Sequence, residues 1–169
     1  MQKVELLKEI IAKKKLMLEA LKNWDEKEFN VSKDGKWTPA GHIEHLINSI
    51  KPLNQLFILP KFIMTFWVGK PNRPSRTYEN LVEKYHEKLK TSNPTINRFG
   101  PNKAKNYTKL QLSARFEKQY DLFAKKIENN WTEDSLEKYL IPHPLLGKLT
   151  VREMIMFTIY HTEHHHKLM

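Results

Sequence analysis

The sequence has no cysteine and little glycine. Without cysteine, the chain can form no disulfide bond and has no thiolate of its own for metal binding or nucleophilic catalysis. This composition fits a reducing compartment, and we expect a cytoplasmic protein. Only five glycines occur among 169 residues, and long stretches consist of helix-forming residues. The composition therefore favours an all-α fold.

No apolar run is long enough to span a bilayer. The longest apolar stretch, LFILPKFIMTFWVG at 56–69, is interrupted by Pro60 and Lys61. We predict that it is a buried connection, and a substrate lid or a subunit contact is the functional alternative. The N-terminal stretch MQKVELLKEIIAKKK is amphipathic, which is not the pattern of a signal peptide.

Acidic residues are outnumbered by basic ones. The chain has 29 Lys and Arg against 19 Asp and Glu, and its formal net charge is +10. Such an excess can serve to bind nucleic acid or another anionic surface. The lysines are scattered over every segment, however, and KKK at 13–15 is their only run of three. We therefore do not expect nucleic-acid binding.

Apolar residues recur at helical spacing along most of the chain. This spacing predicts helices over 2–23, from 39 past Ile50, from Tyr78 to Leu89, over 107–129 and from 151 onward. No strand pattern competes with this reading. The long helices imply a single-domain bundle over 1–169, whose interior can hold a site made from facing side chains.

Several residues indicate where helices begin and end. Thr38 followed by Pro39 is an N-cap with proline at the first helical position. TVRE at 150–153 is a capping box. Pro52 should kink or interrupt the second helix. We expect a short helix after Thr132 and a turn at IPHPLLGK, before the last helix.

The C-terminal segment HTEHHHKLM, 161–169, has four histidines in six positions. His161 and His165 lie one helical turn apart, on a face otherwise formed by apolar residues such as Met154 and Phe157. Such a pair can bind one divalent ion, because both imidazoles leave the same side of the helix. Burying two histidines without partners would be costly. The triplet is too short for a purification tag, and it extends a capped helix.

A metal site needs a third ligand, and the other histidines are the candidates. His86 lies among charged residues that are typical of a solvated face. His143 lies between two prolines in a turn, where a structural role is more common. His42 and His45 are on the second helix, and periodicity does not choose between them.

Two segments resemble a known family. WTPAGHIEHL (37–46) resembles the second-helix signature of the DinB-like (YfiT-like) superfamily, in which Trp, then Ser or Thr and often Pro, precede a His-Leu pair. HPLLGKLTVREMIMFTIYHTEHHH (143–166) is similar to the closing segment of that family, which ends in His-x-x-x-His. The order of the elements also agrees, so the resemblance spans nearly the whole chain.

The resemblance implies an up-down-down-up four-helix bundle with one short extra helix, commonly assembled as a homodimer. It also implies that His45, His161 and His165 face one divalent metal ion, zinc or nickel in relatives. Imidazole ligands suit both metals. His164 and His166 lie next to the family pair and offer an alternative set of ligands.

Members of the superfamily are described as metal-dependent hydrolases, or as transferases that use small thiols such as bacillithiol. The resemblance therefore implies a metal-dependent enzyme acting on a small-molecule substrate. We favour a thiol S-transferase over a hydrolase, because neither Glu44 nor Glu163 is placed as a general base. The alternative is a non-catalytic metal-binding protein with a stress-response or interaction role.

Overall fold

Four long helices form the frame of the molecule. The computed structural model describes residues 1–91, 99–102 and 106–169. The frame consists of α1 (Lys3–Asn23), α3 (Pro39–Leu56), α6 (Lys109–Asn130) and α8 (Val151–Leu168). Helices α1 and α3 each pack against both α6 and α8, so the four close into one bundle. The predicted all-α bundle is confirmed.

The core lies where the apolar faces of these helices meet. Helix α6 contributes five large side chains at spacings of three or four residues, and none is more than 2% exposed: Leu112, Phe116, Tyr120, Phe123 and Ile127. Burying one such side chain is worth roughly 1.5–3 kcal/mol. This stripe, which the sequence predicts, therefore holds α6 against its neighbours.

Both predicted helix starts are confirmed. The Thr38 hydroxyl accepts a hydrogen bond from the Gly41 backbone N–H at 2.9 Å, and Pro39 is the first residue of α3. Thr150 and Glu153 form a reciprocal capping box at α8. Of the two effects predicted for Pro52, an interruption of the helix is wrong, because α3 continues to Leu56. The buried residues on both sides of the proline hold the helix in the bundle despite the missing N–H donor.

Shorter helices cover the frame. They are α2 (Glu26–Phe29), α4 (Lys61–Val68), α5 (Tyr78–Thr91) and α7 (Ser135–Lys138), and α5 packs on α8. The sequence predicts α5 and the short α7, whose first turn is held by a hydrogen bond from the Ser135 N–H to the Thr132 hydroxyl. It does not predict α2 or α4, so the expectation of one short extra helix is too low.

The prediction that segment 56–69 is buried is wrong for helix α4, which lies within it. Phe62, Phe66 and Trp67 are 74%, 94% and 67% exposed, whereas Met64 and Val68 are buried. The helix therefore packs one face on the molecule and leaves an aromatic face in solvent. Within the described residues, no helix is both long and apolar enough to cross a membrane.

A small hairpin replaces the predicted turn before α8. Strand β1 (Leu140–His143) pairs antiparallel with β2 (Gly147–Thr150), and the opposed side chains of Ile141 and Leu149 are fully buried. Gly147 has φ +76°, a conformation that glycine adopts readily. The strands are four residues each, too short for an alternating pattern to be recognised in the sequence.

Candidate metal centre

Helix α3 carries two histidines into the interior of the bundle. His42 and His45 are 5% and 6% exposed. Every residue from Pro39 to Ile47 is buried, so this half of α3 is covered on all sides. Such a helix has no solvated face, which is why the sequence pattern could not distinguish His42 from His45.

Helix α8 supplies the second pair. His161 and His165 are 7% and 6% exposed, one turn apart, and the His161 ring stacks on Phe157 at 5.0 Å between ring centroids. The face identified from the sequence therefore does point into the bundle. His164 and His166, the neighbours that offered an alternative set of ligands, are only half-buried.

Three imidazoles meet between the two helices. The Nε2 atom of His161 lies 3.1 Å from Nε2 of His45 and 3.0 Å from Nε2 of His165. The three ligand atoms all lie within 4.8 Å of one another, so this cluster can hold one metal ion. The structure thus brings together the residues that the resemblance implies.

Hydrogen bonding alone does not account for these contacts. A protonated Nε2 on His161 could donate to only one of its two neighbours. An unprotonated one could accept from His45 only if the proton of that ring lay on Nε2, whereas Nδ1 of His45 bonds a carbonyl oxygen. Three convergent nitrogen lone pairs are instead the usual environment of a zinc or similar divalent ion. The chemistry of the donor set therefore fits a cation.

The backbone orients one of the three rings. The Nδ1 of His45 lies 2.9 Å from the carbonyl oxygen of Phe99. Because a carbonyl can only accept, Nδ1 must carry the proton of the neutral ring. The lone pair of this imidazole is then on Nε2, directed at His161. This is the orientation that histidine ligands need.

Burial keeps the imidazoles neutral. It is the largest cause that lowers the pKa of His45, His161 and His165 below the ordinary value. For His165 the pKa falls to about 2, because the neighbouring histidines His45 and His42 add to the effect of burial. At pH 7 all three rings are therefore in the unprotonated form that binds metal.

Two further residues line the cluster: Trp37, for which the sequence indicates no role, and His42, which the sequence leaves open as a candidate third ligand. Trp37 contacts the His45 ring at 5.0 Å between centroids and stacks nearly parallel to the His165 ring at 5.9 Å. His42 places its Nδ1 2.8 Å from Nδ1 of His165. The signature WTPAGHIEHL contains both residues, but only the fold shows that they line the cluster.

The carboxylates next to the ligands in sequence are engaged elsewhere. Glu44 accepts hydrogen bonds from the Tyr107 hydroxyl and the Asn102 backbone N–H. Glu163 pairs with Lys13 and Lys167, whose hydrogen bonds lower its pKa to about 2. The sequence interpretation of both residues agrees with these contacts.

The remaining candidate ligands lie outside the cluster. His86 is exposed and bonds through Nε2 to the Tyr160 hydroxyl at 2.7 Å. The Nδ1 of His143 accepts from the backbone N–H groups of Leu145 and Leu146. The solvated position predicted for His86 and the structural role predicted for His143 agree with this arrangement.

Comparisons with known proteins identify the family. No curated protein and no solved structure matches the chain. The family model described as the DinB superfamily matches residues 10–169. The matched region includes α3 and α8, which carry the clustered histidines. The chain therefore belongs to the DinB superfamily.

Proposed function

We propose that this protein is a metal-dependent enzyme in which His45, His161 and His165 bind one divalent ion, zinc or nickel. The observation that carries the proposal is that three buried, neutral histidines bring their ligand nitrogens within 4.8 Å of one another. With an ion bound, such a centre supplies Lewis acidity that activates a thiol or a water at neutral pH. The histidines would hold the ion, and the Trp37 ring stacks against the His165 ring.

The proposed reaction is transfer of a low-molecular-weight thiol, such as bacillithiol, to a small electrophile. Hydrolysis calls for a general base beside the reacting water. The two carboxylates nearest in sequence to the ligands, Glu44 and Glu163, are bound by other partners. Thiol transfer needs no such base, which supports it over hydrolysis. The small thiols involved are kept reduced in the cytoplasm, the compartment that the lack of cysteine favours.

Metal analysis tests the proposed centre. Untagged protein is stripped with a chelator, reloaded with zinc or nickel, and freed of excess metal. The wild type should retain about one equivalent, as expected for one three-histidine site. His161→Ala should retain almost none, while the matched variant His86→Ala should behave as wild type because His86 is exposed and its Nε2 bonds to the Tyr160 hydroxyl rather than to the cluster. Equal retention by the two variants would contradict the assignment.

A conjugation assay tests the reaction. Bacillithiol and glutathione are compared as donors to 1-chloro-2,4-dinitrobenzene, where a C–S bond forms, chloride leaves and the thiol proton passes to the buffer. We expect turnover that requires metal and His161 and is faster with bacillithiol. Hydrolysis of ester or amide substrates without thiol transfer would favour a hydrolase. Metal binding without either activity would favour the non-catalytic alternative.

A further inference from the structure

The cluster contains a fourth buried histidine. His42 lies one turn before His45 on α3, and its Nδ1 is 2.8 Å from Nδ1 of His165 on α8. The two rings are tilted by 52°, with centroids 5.1 Å apart. This bond involves the nitrogen of His165 that does not face His161, because His165 uses Nε2 for that contact.

We propose that His42 is a positioning residue that accepts a hydrogen bond from His165 and so fixes the tautomer in which His165 Nε2 is free to bind metal. This inference rests on the proposed metal centre. The role is distinct from that of a ligand, since His42 acts through His165.

Counting protons gives the direction of the bond. Only one of the two Nδ1 atoms can carry the shared proton. If His42 donated, the single proton of a neutral His165 would lie on Nε2, 3.0 Å from the Nε2 of His161. That nitrogen would then be closed to a cation. A metal-binding His165 must therefore donate through Nδ1, and His42 must accept with its own proton on Nε2.

His45 likewise has a hydrogen-bond acceptor for its Nδ1. The carbonyl oxygen of Phe99 accepts from Nδ1 of His45 at 2.9 Å. His42 accepts the Nδ1 proton of His165 in the same way that this carbonyl accepts that of His45. Such acceptors behind histidine ligands hold the ring in place, and their loss typically weakens metal binding 10–100-fold.

Two substitutions separate positioning from ligation. His42→Leu fills the space but removes the acceptor. His42→Asn keeps an oxygen acceptor close to the position of Nδ1, and a carboxamide is a poor replacement for an imidazole ligand. Zinc affinity is measured by competition with a chromophoric chelator. His86→Leu is the matched control, because His86 is exposed and bonds to the Tyr160 hydroxyl, outside the cluster.

We expect His42→Leu to bind zinc about 10–100-fold more weakly than the wild type, and His42→Asn to remain within about 3-fold. Equal weakening in both variants would overturn the inference in favour of a fourth ligand. Unchanged affinity in both would overturn it in favour of a packing role. A wild type that binds no zinc would overturn the proposed metal centre, and this inference with it.

A second readout does not depend on the variants folding. Long-range proton–nitrogen NMR of the zinc-loaded wild type reports which ring nitrogens carry protons. The inference requires a proton on Nδ1 of His165 and none on Nδ1 of His42. A proton on Nδ1 of His42 would overturn it, whatever the affinities.

Discussion

Individual histidines of this chain differ in which ring nitrogen is engaged and by what. His143 shows a role that involves no metal. Its Nδ1 accepts from the backbone N–H groups of Leu145 and Leu146, at 3.2 and 3.0 Å, and its ring packs against Phe157 at 4.4 Å. Burial lowers the pKa of His143 to about 4. The hairpin turn therefore requires the neutral ring.

We predict that His143→Asn makes folding less sensitive to acid. A histidine in the unfolded chain takes up its proton near pH 6.5, but folded His143 does so only near 4. Between these values the unfolded state binds more protons, so the free energy of unfolding falls as the pH drops through the window, by at most about 3 kcal/mol for this group. Asparagine keeps an acceptor for the turn and does not titrate. Urea unfolding of the metal-free protein at several pH values measures this. Between pH 6.5 and 4 the free energy of unfolding should fall less steeply with pH for His143→Asn than for the wild type.

His143→Leu is the control for the hydrogen bonds. It does not titrate either, but it leaves two N–H groups without their acceptor and should cost about 1–3 kcal/mol at pH 7. The asparagine variant should stay within about 1 kcal/mol of wild type there. If the free energy of unfolding of the asparagine variant depended on pH as that of the wild type does, His143 would not be a source of the acid sensitivity.

At the scale of the element, helix α8 is anchored at its first turn by Glu153. This carboxylate is fully buried and accepts two hydrogen bonds from the Arg73 guanidinium, at 2.7 and 2.9 Å. It also accepts from the backbone N–H groups of Arg76 and Thr150. Burial opposes the charge, but these hydrogen bonds outweigh it and hold the pKa of Glu153 below its usual value. The contacts tie segment 73–76 to the helix that carries His161 and His165.

The Arg76 guanidinium also pairs with Glu153, at 3.0 Å. Glu153→Gln should therefore destabilise the fold by about 2–4 kcal/mol, because it leaves Arg73 and Arg76 without their buried counter-charge. The matched control on the same helix is Glu163→Gln. The ion pairs of Glu163 with Lys13 and Lys167 are partly exposed, so removing the Glu163 charge should lower the free energy of unfolding by less than about 1 kcal/mol. Urea unfolding at pH 7 measures both, and a Glu163 variant as unstable as the Glu153 variant would contradict this account.

Elements set by local chemistry could be predicted from the sequence. The capping residues Thr38 and Thr150 and the apolar stripe of α6 act over one or a few turns, and the structure agrees with all three. Features set by distant segments could not be predicted. Whether α3 continues past Pro52, and whether α4 is covered, depends on what packs against each helix.

Within the candidate site, too, some residues could be predicted from the sequence and others could not. His161 and His165 were identified as a candidate pair from their spacing of one helical turn on α8. The choice of His45 needed the resemblance, because the first half of α3 is buried on every side, so that periodicity does not choose between His42 and His45. The roles of Trp37 and His42 depend on contacts between α3, α8 and the residues that precede α3.

At the scale of the whole molecule, the outer face of α4 is the surface on which the homodimer expected from the resemblance can form. Phe62, Phe66 and Trp67 are largely exposed there. The helix KFIMTFWV has no acidic residue, and its one lysine lies over the Trp131 ring. Because this face carries no charged side chain, contact across it would add no local repulsion between two copies of a chain with net charge +10.

We therefore predict a dimer in solution, with twice the chain mass of 20.2 kDa, and a monomer for Phe66→Glu. Leu110→Glu, at a residue that is 79% exposed on α6, is the matched control and should stay dimeric. Light scattering coupled to size-exclusion chromatography distinguishes the two states. A monomeric wild type, or a dimer that survives Phe66→Glu, would remove α4 as the contact.

We expect one dication to bind to the Nε2 atoms of His45, His161 and His165. Anomalous diffraction at the zinc absorption edge, from crystals of zinc-loaded protein, tests it most directly. The account predicts one strong anomalous peak among these three nitrogen atoms, with none at His86 or His143. A difference map with no peak between α3 and α8, or with zinc held by other side chains, would contradict it.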